Sequence, residues 1–443
     1  MTHEAKKTTK TTKEQKGFFK TYRELVQPEE IIEAGCRLGV IKRQRKIDLP
    51  SLVEATIGSL SPIPGTQTTI LTNYLTLTGE PIAPSSFYDR FTEPYAQLMA
   101  ELSQRAIRAV EELNPPGIKN DYFGVLLENF SQIKITDSTS YMIKRLAKDW
   151  APSTSKKRPA GIKIHSVITL QNQLPIENEI TPQKTHDSKA FNESVLEPGT
   201  LSMFDMGYLK VERFIDAIQR GAHFLTPLKS THDPIIVLVH ISKGPRRKVK
   251  GKTIDEAIEE NLLIAKNKVI DLDVRLEAEE KEAIARVVAL MDNEGEFHWY
   301  LTTIPREILT GQDVGEAYRL RWVIELFFNH LKSGAGLSAI LSWREQAITA
   351  LIHAKIVALA LARLLEIHVK RKNDKEVYGK LAMVLVLSRS VPLLLSYSLM
   401  SRGVTLEQLE ERIMMIAEMV SKSRSRRRER ERRKREQALG KGP

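Results

Sequence analysis

Cysteine is nearly absent from this chain. One thiol, Cys36, in 443 residues excludes a disulfide framework and any zinc site built on cysteines. Histidine is scarce as well. His165, His186, His298, His330 and His353 form no His-x-Glu element and no metal-spaced pair, so they read as ordinary core or surface groups. No Gly-rich loop ending in Lys-Ser or Lys-Thr occurs, which predicts no nucleotide cofactor. Met1 to Lys20 is rich in Lys and Thr and has no apolar stretch, so no secretory leader is expected. The most apolar region, Ala347 to Val369, is broken by His353, Lys355 and Arg363. It predicts a buried helix with no membrane span. No internal repeat is visible. These absences predict a soluble, cytoplasmic chain without membrane contact.

What the chain has is length and positive charge. Its 443 residues allow two or three domains with a sizeable core. The formal net charge of +12 favours a polyanionic partner. From Lys422 to Lys441 eleven cations face three acids, so that segment carries +8 of the total. The pattern divides the chain into a basic arm (1–21), a helical domain (22–115), a strand-rich core (116–229), a β-rich segment (230–297), a return to the core (298–345), a helical region (346–420) and an Arg-rich tail (421–443). Arm and tail have the composition of disordered segments. Helices are expected at 29–41, 52–60 and 87–113. The stretch Ile82 to Phe91 could open a recognition helix, or simply a packing helix. Lys42, Arg43, Arg45 and Lys46 form a small basic patch, either a phosphate contact or a solvated face.

Past Pro115-Pro116-Gly117 a helix is expected near 122–129. Alternating apolar residues then mark strands. The first runs from Gln132 to Ser138, with Asp137 at its end. The next are Gly161 to Gln171, Leu174 to Thr181, and Gly199 to Tyr208, the last with Asp205 at its end. Helices are expected at 187–195 and 210–220, and a fifth strand at 222–226. That order is the order of an RNase H-like fold, an α/β fold with a mixed sheet flanked by helices. Further strands are expected at 237–241, 271–276, 286–290 and 297–305, and apolar helices at 347–367, 377–395 and 406–420.

The most distinctive stretch is a helix expected to run to Gly334, with no Gly or Pro between Tyr318 and Lys332. At about 100° per residue, Tyr318, Arg321, Glu325 and Lys332 share a stripe roughly 60° wide. Ile324, Leu326, Phe327, Phe328 and Leu331 fill most of the remaining surface. An i,i+4 pair would account for Arg321 and Glu325. It leaves Tyr318 and Lys332 unexplained.

The spacing Tyr-x2-Arg-x3-Glu-x6-Lys resembles the signature of the IS4-family DDE transposases and is matched at all four positions. By order of motifs the resemblance covers about 115–340. It implies that Asp137, Asp205 and Glu325 are the catalytic acids and metal ligands, with segment 230–297 as the family's β-rich insertion. It implies that Tyr318, Arg321 and Lys332 hold DNA near the cleaved end. Trp299 would stack on a flipped base, or else pack as a core residue beside Phe297 and Leu301. The N-terminal domain would bind terminal inverted repeats. A homodimer would pair two double-stranded DNA ends, cut them out and join them to target DNA, in a prokaryotic cytoplasm at the nucleoid.

Phosphoryl transfer on DNA needs an attacking oxygen activated and a leaving oxygen stabilised, and two divalent ions about 3.5–4 Å apart do both. Magnesium, or manganese in its place, takes oxygen ligands and keeps waters, so a few carboxylates suffice. Taken alone, Asp137 could be a turn or capping residue and Asp205 a strand end before Gly207. Taken with the helix stripe, they read as a ligand set of two ions per site. Asp149, Asp216, Asp271 and Asp273 lack that context. His186-Asp187 could support the acids from behind or make only a loop hydrogen bond, and Trp322 reads as core. Two other functions fit the same residues: an RNase H-like nuclease without strand transfer, and a transposase-derived DNA-binding protein whose catalysis has lapsed.

Overall fold

The computed structural model describes residues 18–42, 47–59, 67–113, 121–208, 210–229, 231–335, 337, 342–373, 386, 393–409, 411–412 and 415–416. Most of the Lys/Thr-rich arm, Arg43, Arg45 and Lys46 of the basic patch, the Pro115-Pro116-Gly117 boundary, much of the two helices expected past 377 and the Arg-rich tail lie outside these residues.

Seven helices come first: α1 (Phe18–Leu25), α2 (Pro28–Arg37), α3 (Leu49–Ile57), α4 (Gln67–Thr78), α5 (Pro84–Tyr88), α6 (Glu93–Glu112) and α7 (Asp121–Asn129). The helix expected over 87–113 is broken between α5 and α6. Pro94 at the start of α6 has no N–H to donate backward, so it begins a new helix rather than continuing the old one. α6 buries an apolar stripe that includes Tyr95, Met99, Leu102, Ala106 and Val110. It lies along α13 (Glu345–Asn373), the helix expected from the apolar run near 347–369. By length and composition Glu345–Val369 could cross a membrane, but 83% of its apolar window is buried in this fold. The long helix after the turn at 89–92 thus packs one face against α13.

A nine-stranded sheet follows. Its strands are β1 (Ile133–Met142), β2 (Gly161–Thr169), β3 (Pro175–Pro182), β4 (Leu201–Phe204), β5 (His223–Pro227), β6 (Ile235–Ile241), β7 (Val269–Ala278), β8 (Lys281–Met291) and β9 (Phe297–Thr302). The spatial order is β3-β2-β1-β4-β5-β9-β8-β7-β6. β4 and β5 run parallel to β1, while β2 and β3 form an antiparallel meander on its other side. This is the mixed, helix-flanked arrangement of an RNase H-like fold. The β-rich segment extends the same sheet. After β5 the chain crosses to the far edge, and β6, β7, β8 and β9 meander back until β9 pairs with β5.

Three expectations need correction. Asp137 is not at the end of its strand: β1 continues to Met142 because Thr139 and Tyr141 keep the alternation and pair with β2 as far as Gly161. The run Thr-Asp-Ser-Thr only looks like a turn. The α-helix expected at 187–195 is replaced by two 3-10 turns, Asp187–Lys189 and Glu193–Val195. Between them Phe191 turns inward onto Phe204, under the Arg213 guanidinium. The fourth strand is shorter than expected, ending at Phe204 before a 3-10 turn at Met206–Tyr208. α8 (Val211–Gln219) then packs against β5, β7 and β8.

Candidate active site

Pairing between β1 and β4 ends at Thr136 and Phe204. Asp137 and Asp205 occupy the next position on two parallel neighbours whose backbones are about 5 Å apart. β1 continues beyond this point and β4 does not, so the sheet opens a notch with one aspartate on each side. On the same face lies a helical run made of α11 (Asp313–Tyr318), a 3-10 turn (Arg319–Arg321), α12 (Trp322–Asn329) and a π-turn (His330–Gly334). It is not the uniform α-helix expected. α12 packs on β1 through its buried Ile324, Phe327 and Phe328.

That packing brings Arg321 over the notch. Its Nη1 donates to Asp137 Oδ2 at 2.8 Å, and its Nη2 donates to Glu325 Oε1 at 2.8 Å. One guanidinium therefore joins two of the three acids. The Asp137 side chain is 21% exposed and that of Glu325 32%, so both still face solvent. Burial raises the Asp137 pKa above its ordinary value. The Ser138 backbone N–H and Arg321 oppose that shift, and the charges of Asp205 and Glu325 add to it. Two carboxylates about 5 Å apart repel by on the order of 3 kcal/mol at an effective dielectric near 20. The notch thus favours a cation, and its donors are all oxygens, as a hard divalent ion requires. As the side chains stand, no three His, Cys, Asp or Glu among the described residues form a ready metal-binding group. Arg321 fills the space between two of the acids instead.

The other expected residues surround this notch. Tyr318 donates from its hydroxyl to the Phe204 carbonyl at 3.2 Å, next to Asp205, and its ring packs on Tyr300. Lys332 falls in the π-turn, partly exposed and without an ion pair among the described residues. Trp299 lies on β9 and is partly exposed. With Met206, Phe297, Tyr300 and Tyr318 it lines a cavity of about 570 Å³ beside Asp205. Trp322 is 58% exposed and not core as expected. It points away from the buried side of α12, immediately after Arg321.

Of the two roles open to Asp187 in the sequence, the structure gives the one behind the acids. It accepts from Ser138 Oγ at 2.7 Å and from Lys163 Nζ at 3.1 Å, with His165 close by. It ties β1 to β2 directly behind Asp137. Burial works against the Asp187 charge, but these three partners hold its carboxyl below the usual range. No local signal marks it, because the partners come from two strands remote in sequence.

Residues 128–361, more than half of the chain, match the family described as Transposase DDE domain. The chain belongs to the IS4-type DDE transposases. This transposase is 21% identical over 379 residues to the transposase for insertion sequence element IS231F of Bacillus thuringiensis subsp. israelensis, covering 78% of each chain. It is 23% identical over 384 residues to the IS231C transposase of Bacillus thuringiensis subsp. berliner, covering 76% of this chain and 77% of that one. Among solved structures, the fold is similar to a piggyBac transposase synaptic complex with hairpin DNA, with a TM-score of 0.50 and 10% identity over 92% of this chain and 87% of that one. The protein is a DNA transposase, and its family works with divalent metal ions.

Proposed function

We propose that Asp137, Asp205 and Glu325 are the catalytic acids, and that this transposase cuts and joins double-stranded DNA at the inverted repeats of its own element. The observation that carries this reading is the notch: two aspartates just past the last β1–β4 pair, one inside β1 and one after the end of β4, faced by a glutamate from the helix above. A pair of magnesium or manganese ions, when bound, activates the attacking oxygen and stabilises the leaving one. Asp137 and Asp205 offer oxygens from the sheet and Glu325 from the helix. Arg321 bonds the acids in the free protein and can turn to a DNA phosphate, which a guanidinium grips with two bonds. Lys332 adds a point charge, and Tyr318 a single donor. Trp299, in its aromatic cavity, is placed to stack an unpaired base, a contact worth about 1–3 kcal/mol.

Two reactions follow. In the first, water adds to phosphorus, the P–O3′ bond breaks, and the proton ends on the freed 3′ oxygen. In the second, that 3′-OH attacks a target phosphodiester. A new P–O3′ bond forms as the old one breaks, and the proton passes to the displaced 3′ oxygen. A dimer holding two ends would keep the cuts paired, with the helices of 22–115 on the inverted repeats.

Duplex DNA carrying the inverted repeat that flanks the gene provides the test. With magnesium, the wild type should nick the end and join it to a plasmid. Asp137→Ala, Asp205→Ala and Glu325→Gln should each bind the duplex but cut no faster than background. Full cutting by any one of the three would remove that residue from the catalytic set.

A further inference from the structure

The loop joining β1 to β2 has no role in the chemistry above, yet it is one of two strongly basic stretches of the described fold; the other, 243–252, follows β6 at the far edge of the sheet, away from the notch. Between residues 144 and 158 it carries Lys144, Arg145, Lys148, Lys156, Lys157 and Arg158 against a single acid, Asp149. Its net +5 exceeds the +4 left to the whole chain outside the Arg-rich segment 422–441. All six cations are exposed, and none has an ion-pair partner among the described residues. Elsewhere in the fold lysines and arginines of similar exposure do find acids, as Lys252 finds Glu260 and Arg37 finds Glu101.

The loop is also built to hold its shape. Gly161 N donates to Ala151 O at 2.9 Å and Ser153 N to Pro159 O at 3.0 Å. Lys184 N donates to Pro152 O at 3.2 Å, and Thr154 N to Gln183 Oε1 at 2.9 Å. Trp150 Nε1 donates to the Trp343 carbonyl at 3.0 Å, which fixes the base of the loop to the segment before α13. Leu146 at its turn is 69% exposed and Trp343 45%. Charges held on a fixed frame lose little freedom when they meet a rigid polyanion.

Its position indicates which polyanion. β1 carries Asp137 and leads straight into the loop, so the loop lies at the same end of the sheet as the notch. Seven residues of extended chain at about 3.3 Å each put Lys144 at most about 23 Å from Asp137. That is about seven base pairs of duplex at ~3.4 Å per pair.

We infer that loop 144–158 is a second DNA-binding surface, gripping phosphates of the element's own end within about two-thirds of a helical turn of the bond being cut. The inference rests on the active-site reading above for its direction, but its test reads binding, so it can fail while cleavage stands.

The test uses the full chain with Lys156→Ala, Lys157→Ala and Arg158→Ala combined, and a control carrying Lys156→Arg and Lys157→Arg. Binding is measured against salt on an inverted-repeat duplex. Capture of a plasmid by a precleaved end is measured alongside. Each phosphate contact contributes about 0.9 to the slope of log affinity on log salt. If the loop holds the element's end, the alanine variant loses about 2–3 from that slope and roughly tenfold or more in affinity. If end binding keeps its slope while plasmid capture falls tenfold, the loop holds target DNA and the assignment to the element's end is overturned. The arginine control should match wild type in either case. Unchanged slope and capture in a variant with the wild-type unfolding midpoint would make the loop a solvated surface. So would an equal loss in the arginine control.

Discussion

Arg321 holds two carboxylates that repel each other and that the proposed chemistry needs for a different cation. In the free protein the guanidinium neutralises Asp137 and Glu325 through two 2.8 Å bonds. On the proposed chemistry, metal loading and DNA binding would be coupled through one side chain: a phosphate that draws Arg321 away would open the notch. The expected result is that manganese binds the free wild-type protein weakly and binds it more tightly once end DNA is present. Arg321→Gln should bind manganese about tenfold more tightly than wild type without DNA, a difference of ~1.4 kcal/mol. Calorimetric titration of the DNA-free proteins checks this, and equal affinities would sever the link. The Tyr318–Lys332 spacing makes Arg321 conspicuous in the sequence. Its bond to Asp137 spans a separation no local pattern could reveal.

At the scale of elements, α13 shows how burial sets stability. Lys355 is 5% exposed and, among the described residues, donates only to the Ala335 carbonyl. Burial pushes its pKa down to about 8, below the value in an unfolded chain. Between about pH 8 and 10.5 the unfolded chain therefore holds more protons, and stability should rise with pH across that window. Lys355→Met should abolish this rise and stabilise the fold at pH 7 by up to about 3 kcal/mol, less the cost of leaving the Ala335 carbonyl unpaired. Urea unfolding at pH 7 and pH 10 tests both parts. The apolar run marked α13 as buried in the sequence. The break before α6 was also readable, from Pro94. The 3-10 turns at 187–195 were not, because they depend on Phe191 finding Phe204.

At the scale of the whole molecule, the β-rich segment is welded to the catalytic core. Asp271, 1% exposed, receives both Arg286 and Arg306, and Arg286 also donates to the carbonyls of Ile304 and Leu309. These bonds anchor the chain between β9 and α11. Asp271→Ala strands the buried Arg286, while Arg306 keeps Asp273. It should cost about 3–5 kcal/mol in unfolding free energy. Cleavage should fall only in proportion to the folded fraction. A loss of cleavage in fully folded protein would mean that Asp271 acts at the notch after all.

By itself the sequence determined the element types and the order of motifs, because strand alternation, helix periodicity and a four-residue signature are local properties of the chain. It also determined the family, since those four positions sit a few residues apart on one helical run. The tertiary structure alone decided that the added strands extend one sheet, that Asp137 lies within a longer strand, and that Trp322 faces solvent. It alone placed Asp187 behind the notch and Arg321 across it. Each of these depends on residues far apart in the chain meeting through sheet register and helix packing, and neither periodicity nor composition encodes such a meeting.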